Sequence, residues 1–244
     1  MRLPQKTGLF ITGTDTGVGK TLVASAIAHI LSQAGHRVGV FKPIATGCHP
    51  EKGRLVSTDA KCLSKFSSTQ FPLNIINPVT YATPAAPIIC ATLENHPVDY
   101  GRIEDAYLQI CEVCDFVIVE GIGGIRVPLS PNVDVLEIAD QFGLPIVVVA
   151  RASLGTINHT LLTVDAIRIN RLPLAGVVIS GLKPDSTDPA EKTAPATIAR
   201  VGDINLIATI PFDPDSCVET ATLGQTTLDA LSPIPWLTLA APQQ

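Results

Sequence analysis

Several features are missing from this 244-residue sequence, and each absence excludes a class of protein. No uninterrupted apolar run approaches the roughly 20 residues that a membrane-spanning helix requires, although hydrophobic residues make up 46% of the chain. The first ten residues contain neither a long apolar segment nor a small-residue cleavage site. The 17 Lys and Arg residues form no basic stretch, and the formal net charge is −5. These absences predict a cytoplasmic protein, with neither a membrane nor nucleic acid as its main partner.

The six cysteines lack the density of a disulfide framework. Cys111 and Cys114 form one Cys-x-x-Cys pair, but no second pair of ligands stands at a spacing suited to zinc. The two residues are therefore predicted to be ordinary cysteines of a helix beside a strand, and no metal is assigned to them.

Short apolar runs alternate along the chain with segments of helical periodicity. Runs such as FVIVE and PIVVVA are apolar throughout, which is typical of strands that are covered on both faces in a parallel sheet. The predicted strands are Gly8–Thr12, Arg37–Phe41, Phe116–Glu120, Pro145–Ala150, Leu174–Ser180 and Leu206–Ile210. A helix is predicted between the first two strands, from Leu22 to a stop at Gly35. Further helices are predicted over Ser57–Phe66, Ile103–Cys114, Val133–Phe142, Thr156–Asn170 and Pro189–Val201.

This alternation predicts one doubly wound α/β domain over residues 1–244, with a mainly parallel sheet and helices on both faces. The length is sufficient to bury a substantial core. Two stretches are predicted to be irregular, the Pro-rich tail from about Ser232 and the polar loop Lys183–Thr193. In such a fold, ligands bind beyond the carboxyl ends of the strands.

The segment GTDTGVGKT, which ends at Thr21, raises a question of register. A phosphate-binding P-loop reads G-x-x-x-x-G-K-[ST], yet Thr14 stands at the opening position and Gly13 lies one residue too far upstream. The context is nevertheless that of a P-loop, because a strand precedes the segment and a helix follows it. Loop N–H groups can cradle phosphate oxygens, Lys20 can bridge the terminal phosphates, and the Thr21 hydroxyl can bind Mg²⁺. The sequence therefore favours the P-loop NTPase type of α/β fold over an accidental GKT in a turn.

Charged side chains stand near the ends of other predicted elements. Lys42 closes the second strand, where Pro43 prevents the ladder from continuing. Glu120 ends the strand FVIVE, and Asp59 begins a helix; acids in such places opposite a P-loop commonly anchor Mg²⁺. Taken alone, Asp59 is an acid that opposes a helix dipole and Lys42 is a solvated strand end. Their combination with the P-loop favours a magnesium nucleotide site.

Six segments, in this order, resemble dethiobiotin synthetase, the biotin-pathway enzyme that closes a ureido ring. They are GTDTGVGKT, FKPIATG, STDA, NPVTYATPAAPIIC, VEGIGGIRVPL and LGTINHTLLT. The resemblance extends from Phe10 to about Asp213. The phosphate loop of that family has an extra residue between its first glycine and Gly-Lys-Thr, which places Gly13 in the expected position.

The resemblance implies an ATP-dependent cyclo-ligase that uses Mg²⁺, ATP and CO₂ to convert 7,8-diaminononanoate into dethiobiotin. A substrate amine becomes a carbamate, the carbamate takes the γ-phosphoryl group, and the second amine displaces phosphate. The resemblance also implies a homodimer in which Asn158 reaches the substrate of the neighbouring subunit. On composition alone, Asn158 is simply a polar residue in the first turn of a helix.

The resemblance also assigns roles to individual residues. The implied catalytic residues are Lys42, Lys20 and Thr16, and the implied magnesium ligands are Thr21, Asp59 and Glu120. The implied nucleotide-binding residues are Gly17, Val18, Gly19, Lys20, Thr21, Leu22, Asp59, Glu120, Gly121, Gly123, Ser180, Gly181, Pro211, Phe212 and Asp213. The implied diamine-binding residues are Thr46, Pro84, Pro87 and Asn158. On sequence alone, a structural turn is the favoured reading of the two prolines near residue 85, and the segment from Pro211 to Asp213 fits a turn equally well.

Ser180 and Gly181 depart from the family pattern, which often has an asparagine after this strand to bind the adenine edge. A hydroxyl and a glycine offer fewer hydrogen bonds than an amide, and water can replace one lost bond at a partly solvated base. The departure therefore predicts relaxed selectivity, with other nucleoside triphosphates accepted within about tenfold of ATP.

Dimerising regulatory ATPases of the partitioning or cell-division type are an alternative class, because they share GVGKT and the fold. They place a signature lysine where this chain has Asp15, and many add a basic amphipathic membrane tail, whereas this sequence ends in SPIPWLTLAAPQQ. A cobyrinic-acid amidating enzyme would need a further glutaminase domain, for which the sequence has no room. Both alternatives are therefore less favoured than the cyclo-ligase.

Overall fold

The structure is a computed structural model that describes residues 3–241. Its strands are β1 (Gly8–Gly13), β2 (Val38–Phe41), β3 (Ile44–Ala45), β4 (His49–Glu51), β5 (Arg54–Val56), β6 (Val79–Thr80), β7 (Phe116–Gly124), β8 (Pro128–Ser130), β9 (Val133–Asp134), β10 (Ile146–Arg151), β11 (Leu174–Leu182) and β12 (Leu206–Pro211). Its helices are α1 (Lys20–Gln33), α2 (Thr58–Phe66), α3 (Leu73–Ile76), α4 (Pro87–Leu93), α5 (Tyr100–Val113), α6 (Val135–Phe142), α7 (Thr156–Ile169), α8 (Pro189–Gly202), α9 (Gln225–Leu231) and α10 (Trp236–Leu239).

Six strands form a parallel sheet in the order β12–β11–β10–β1–β7–β2. Phe10 of β1 lies opposite Val119 on one side and Ile146 on the other. From β1, the chain first adds β2 and β7 on one side, and then β10, β11 and β12 on the other. Because the strand order reverses at β1, a crevice is expected beyond its carboxyl end.

Alternate residues of the strands pack into two cores on opposite faces of the sheet. Phe10 packs in the core that includes α5, α6, α7 and α8, whereas Leu9 and Ile11 pack in the core that includes α1, α2 and α9. Each strand therefore buries both of its faces, which explains why its sequence is apolar throughout. The predicted doubly wound parallel sheet with helices on both faces is confirmed.

The predicted elements differ from the structure mainly at their ends. The strand predicted to end at Glu120 continues to Gly124, and the strand predicted to end at Ser180 continues to Leu182. The helix predicted from Ile103 starts at Tyr100, because the Asp99 side chain caps it.

Two further predictions need correction. Val133 does not begin a helix but lies in β9, because Asp134 and Glu137 form a capping box that starts α6 at Val135. The predicted loop Lys183–Thr193 is shorter than expected, because Asp188 caps α8 and Pro189 occupies its first turn.

The Pro-rich segment from Ser232 is more ordered than predicted. Trp236 is 1% exposed and packs in the core beside α1, and its indole Nε1–H donates a hydrogen bond of 3.0 Å to the Leu231 carbonyl. The last three residues lie outside the described part of the chain. Between residues 3 and 241, no helix is both long and apolar enough to cross a bilayer.

Trp236→Ala should lower the free energy of unfolding by about 3 kcal/mol or more, because it leaves a cavity and removes a buried hydrogen bond. Urea denaturation measures the change. Leu237→Ala is the control, since Leu237 lies in the same helix and is 44% exposed. Equal losses from the two variants would show that the tail does not pack as described.

Candidate active site

The loop between β1 and α1 explains the position of the first glycine. A Cβ atom added at Gly13 would lie 2.8 Å from both the Asp15 carbonyl oxygen and Val18 Cγ2, so no side chain fits there. Gly17 and Gly19 have φ angles of 72° and 99°, which glycine adopts at low cost. The first glycine that the loop requires therefore stands at position 13, whereas position 14 can hold a threonine.

Lys20 lies over this loop. It is buried, and its Nζ donates a hydrogen bond of 2.9 Å to the Asp15 carbonyl oxygen. Burial and the nearby Lys42 ammonium lower the Lys20 pKa to about 8, against the opposing effect of the surrounding carboxylates. A phosphate oxygen in the loop would provide this ammonium with an anionic partner.

Lys42 joins the two acids predicted to hold a metal. Its Nζ donates a hydrogen bond of 2.5 Å to Glu120 Oε1 and lies 2.9 Å from Asp59 Oδ2. The Thr21 hydroxyl donates to the same Glu120 oxygen at 3.0 Å. Lys42 is 2% exposed, so it is not a solvated strand end. The structure thus brings Thr21, Lys42, Asp59 and Glu120 into one cluster, in which the Asp59 side chain is 39% exposed and the other three are buried.

The charges in this cluster stabilise one another. Burial tends to lower the Lys42 pKa, but Glu120 and Asp59 outweigh this effect and raise it above its ordinary value. Lys42 is the main cause of a lowered Asp59 pKa, while burial raises the pKa of Glu120. Lys42 is therefore a cation throughout the neutral pH range.

The same cluster has the ligands that Mg²⁺ prefers. Glu120 Oε2 is buried and has no hydrogen-bond partner among the described residues. A divalent cation would satisfy this oxygen, and the Asp59 carboxylate and Thr21 hydroxyl supply further oxygen ligands. These residues fit the predicted magnesium site.

A cavity of about 650 Å³, here called the charged cavity, contains this cluster. The predicted residues that line it are Thr16, Gly17, Gly19, Lys20, Thr21, Leu22, Lys42, Thr46, Asp59, Pro84, Pro87, Glu120 and Gly123. Pro87 begins α4 as well as lining the cavity, so it also has a structural role. Sequence reasoning missed Val218 and Glu219, which reach the cavity from the loop after β12.

A second cavity of about 410 Å³, here called the side cavity, also contacts the loop. The predicted residues that line it are Gly17, Val18, Gly19, Leu22, Ser180, Gly181, Pro211, Phe212 and Asp213. Arg151, Lys183 and Glu191 line it as well and were not predicted. Gly17, Gly19 and Leu22 line both cavities, so the loop connects the two.

Three predicted residues have other surroundings than expected. Gly121 lines neither of these cavities; its carbonyl oxygen accepts a hydrogen bond of 3.3 Å from Lys42 Nζ. Asn158 lines neither cavity and is exposed on α7. The Asp213 carboxylate accepts hydrogen bonds from Ser216 and Thr227, so its side chain holds the loop between β12 and α9.

The predicted cysteine pair is buried in the core. Cys111 and Cys114 are free thiols, and the Cys114 thiol donates a hydrogen bond of 3.6 Å to the Thr69 hydroxyl oxygen. Burial raises the pKa of both thiols, which therefore pack as small apolar side chains.

A glycine-rich loop between a parallel strand and a helix, with Lys20, Thr21 and the acid of a neighbouring strand beside it, defines a P-loop NTPase. Residues 7–220 match the protein family described as "AAA domain". The chain is 36% identical to the ATP-dependent dethiobiotin synthetase of Thermodesulfovibrio yellowstonii, over 85% of this chain and 89% of that protein. It is 40% identical to the ATP-dependent dethiobiotin synthetase of Anaeromyxobacter sp. strain K, over 89% of this chain and 95% of that protein. The chain belongs to the dethiobiotin synthetase family.

Solved structures of other P-loop ATPases share the fold. A ParA family ATPase from Chlorobium tepidum has a TM-score of 0.54 and 16% identity, with 97% of this chain and 98% of that chain covered. The septum site-determining protein MinD from Pyrococcus horikoshii has a TM-score of 0.56 and 15% identity, with 97% and 95% covered. Identities this low show the fold alone, so they do not favour the regulatory ATPase alternative.

Lys42→Met should lower the free energy of unfolding by about 3 kcal/mol, because it leaves the fully buried Glu120 carboxylate, with the partly exposed Asp59 carboxylate beside it, without its cation. Lys61→Met is the matched control, since the ion pair of Lys61 with Glu51 is 40% exposed on both sides and should contribute less than about 1 kcal/mol. Chemical denaturation of both variants tests this difference. A similar decrease in the free energy of unfolding for the two variants would show that Lys42 is not a buried cation that neutralises its carboxylate neighbours.

Proposed function

We propose that this chain is an ATP- and Mg²⁺-dependent cyclo-ligase that forms dethiobiotin from 7,8-diaminononanoate and CO₂, with ADP and phosphate as the other products. The observation that carries the proposal is the buried Lys42 cation beside the phosphate loop, in a cavity that also has an apolar wall. Phosphate groups and a carbamate are anionic, and both would lie near fixed positive charge here.

The reaction places different demands on the two lysines. An amine and CO₂ form a carbamate and release a proton, and a carbamate oxygen then attacks the γ-phosphorus while ADP leaves. Lys20 and Thr16 would contact the phosphates, and Lys42 would stabilise the carbamate and the charge that moves during transfer. Lys42 acts as a cation rather than a base, because its carboxylate neighbours raise its pKa.

Ring closure completes the reaction. The second amine attacks the carbonyl carbon of the carbamic-phosphoric anhydride and displaces phosphate. Thr46 would hydrogen-bond near the carbamate, while Pro84 and Pro87 would contact the aliphatic chain of the diamine; all three line the charged cavity. Mg²⁺, held by Thr21, Asp59 and Glu120, would neutralise charge on the phosphate oxygens.

The proposed enzyme is a homodimer. Asn158, Leu162, Asp165 and Ile169 are exposed at helical spacing along one face of α7, where Leu162 is 61% and Ile169 is 79% exposed. A face with two exposed apolar side chains beside polar ones is suited to a second copy of the chain, in which Asn158 would approach the neighbouring substrate. The proposed location is the cytoplasm, where buried free thiols such as those of this chain are common.

Lys20→Ala should lower the rate of dethiobiotin formation by about a hundredfold or more, because it removes a fixed charge from the terminal phosphates. Mass spectrometry of the product, with ATP, Mg²⁺, bicarbonate and the diamine supplied, measures the rate. Lys192→Ala is the control, since Lys192 is exposed on α8. A folded Lys20→Ala protein of near-normal rate would contradict the proposed P-loop chemistry.

Asp59→Asn and Glu120→Gln should each shift the Mg²⁺ titration of activity to higher concentration, because a carboxylate is a stronger magnesium ligand than an amide. The Michaelis constant for the diamine should change less. Asp105→Asn, on the exposed face of α5, should leave the titration unchanged. Unchanged titrations for both acids would remove them from the metal site.

A further inference from the structure

The side cavity is placed to receive the base of a nucleotide, if the proposed function holds. Its lining shares Gly17, Gly19 and Leu22 with the charged cavity, so a nucleotide with its phosphates on the loop can extend into it. Pro211 and Phe212 provide apolar surface, and Phe212 is 58% exposed. Such surfaces suit the flat face of a base, whereas polar groups at its edge determine which base binds.

Several polar groups of this cavity already have partners. A Cβ atom added at Gly19 would lie 2.7 Å from Ser180 Oγ, so the Ser180 side chain faces the phosphate loop. The Asp213 carboxylate accepts from Thr227 and Ser216, and Arg151 pairs with Asp15 at 2.5 Å. Asp213 and Arg151 are therefore not free to select a base without losing an existing partner.

Glu191 differs from them. It lies in the first turn of α8 and lines the side cavity, and its Oε2 atom is buried without a hydrogen-bond partner among the described residues. A buried carboxylate oxygen without a partner is costly, so a ligand that supplies a donor is stabilised there.

We propose that Glu191 is a specificity-determining residue of the nucleotide site, and that its Oε2 accepts a hydrogen bond from the exocyclic amino group of the base. A carboxylate only accepts hydrogen bonds, and adenine and cytosine carry an amino group where hypoxanthine and uracil carry a keto oxygen. A keto oxygen in the same place would put two acceptors face to face. The site therefore selects 6-amino purines and 4-amino pyrimidines over their keto counterparts.

This assignment changes the expectation for Ser180 and Gly181. Relaxed selectivity follows only if nothing replaces the missing asparagine, and Glu191 replaces it from a different element. The Ser180 hydroxyl faces the phosphate loop, since a Cβ atom added at Gly19 would lie 2.7 Å from it. Gly181 has open space around it and a φ of 80°, so it contributes room rather than a hydrogen bond.

The test compares nucleotides that differ at this group. Isothermal titration calorimetry of the full chain should show tighter binding of ADP than of IDP by about tenfold or more. Glu191→Gln should reduce this preference to about threefold or less, because the glutamine carboxamide can accept from an amino group through its oxygen or donate to a keto oxygen through its NH2 group. Glu112→Gln makes the same change at an exposed position of α5 and should leave the preference intact.

CDP and UDP form a second pair, whose comparison in the unmodified protein does not depend on any variant. Tighter binding of CDP supports the proposal. Equal binding within both pairs, or a full ADP preference in Glu191→Gln, overturns it. If equal binding accompanies dethiobiotin formation from ATP, the proposed function stands and only the role of Glu191 falls. If neither ADP nor IDP binds, both proposals fail.

Discussion

The buried ion cluster around Lys42 is the constraint on which the rest of the site depends. Phe41 of β2 lies opposite Val119 of β7, so Lys42 and Glu120 follow at the same edge of the sheet. The Lys42 backbone is fixed as well: its N–H donates to the Ile76 carbonyl at 2.8 Å, and its carbonyl accepts from Asn77 Nδ2 at 2.7 Å. Short elements between β2 and α4 therefore serve to hold one lysine in place.

The phosphate loop uses the same sheet edge. β1 stands between β7 and β10, and Gly13 at its end lies opposite Gly124 of β7. A Cβ atom at Gly124 would make only ordinary contacts of 3.5 Å with the carbonyl oxygens of Gly13 and Thr14, so the loop runs alongside the end of β7. This arrangement brings Thr21, the first residues of α1 and Glu120 together.

The sequence predicts the long strands and this charged edge well, and the physical reason is the same for both. Strands that are buried on both faces need unbroken apolar runs. The carboxyl ends of parallel strands lie at one edge of the sheet, so the sequence alone predicts that Lys42 and Glu120 lie near each other. Two-residue strands and the four-residue helix α3 have no periodicity to detect. Glu191 was missed because the feature that distinguishes it is an unpartnered oxygen, which exists only after α8 packs beside α7 and β12. The exposed position of Asn158 likewise depends on which face of α7 the fold buries.

A cluster of buried charges contributes little to the stability of a fold, because burying charges requires desolvation free energy. The desolvation of Lys42, Asp59 and Glu120 offsets much of their mutual attraction, and apolar residues of similar volume often stabilise a core as well or better. The cluster is therefore better explained by chemistry than by stability. In the proposed reaction, a cation that is already held among carboxylates, with its backbone fixed on both sides, would not need to reorganise when charge moves from ATP to the carbamate. The cost of burying Lys42 is met during folding, so that it does not have to be met again in each catalytic cycle.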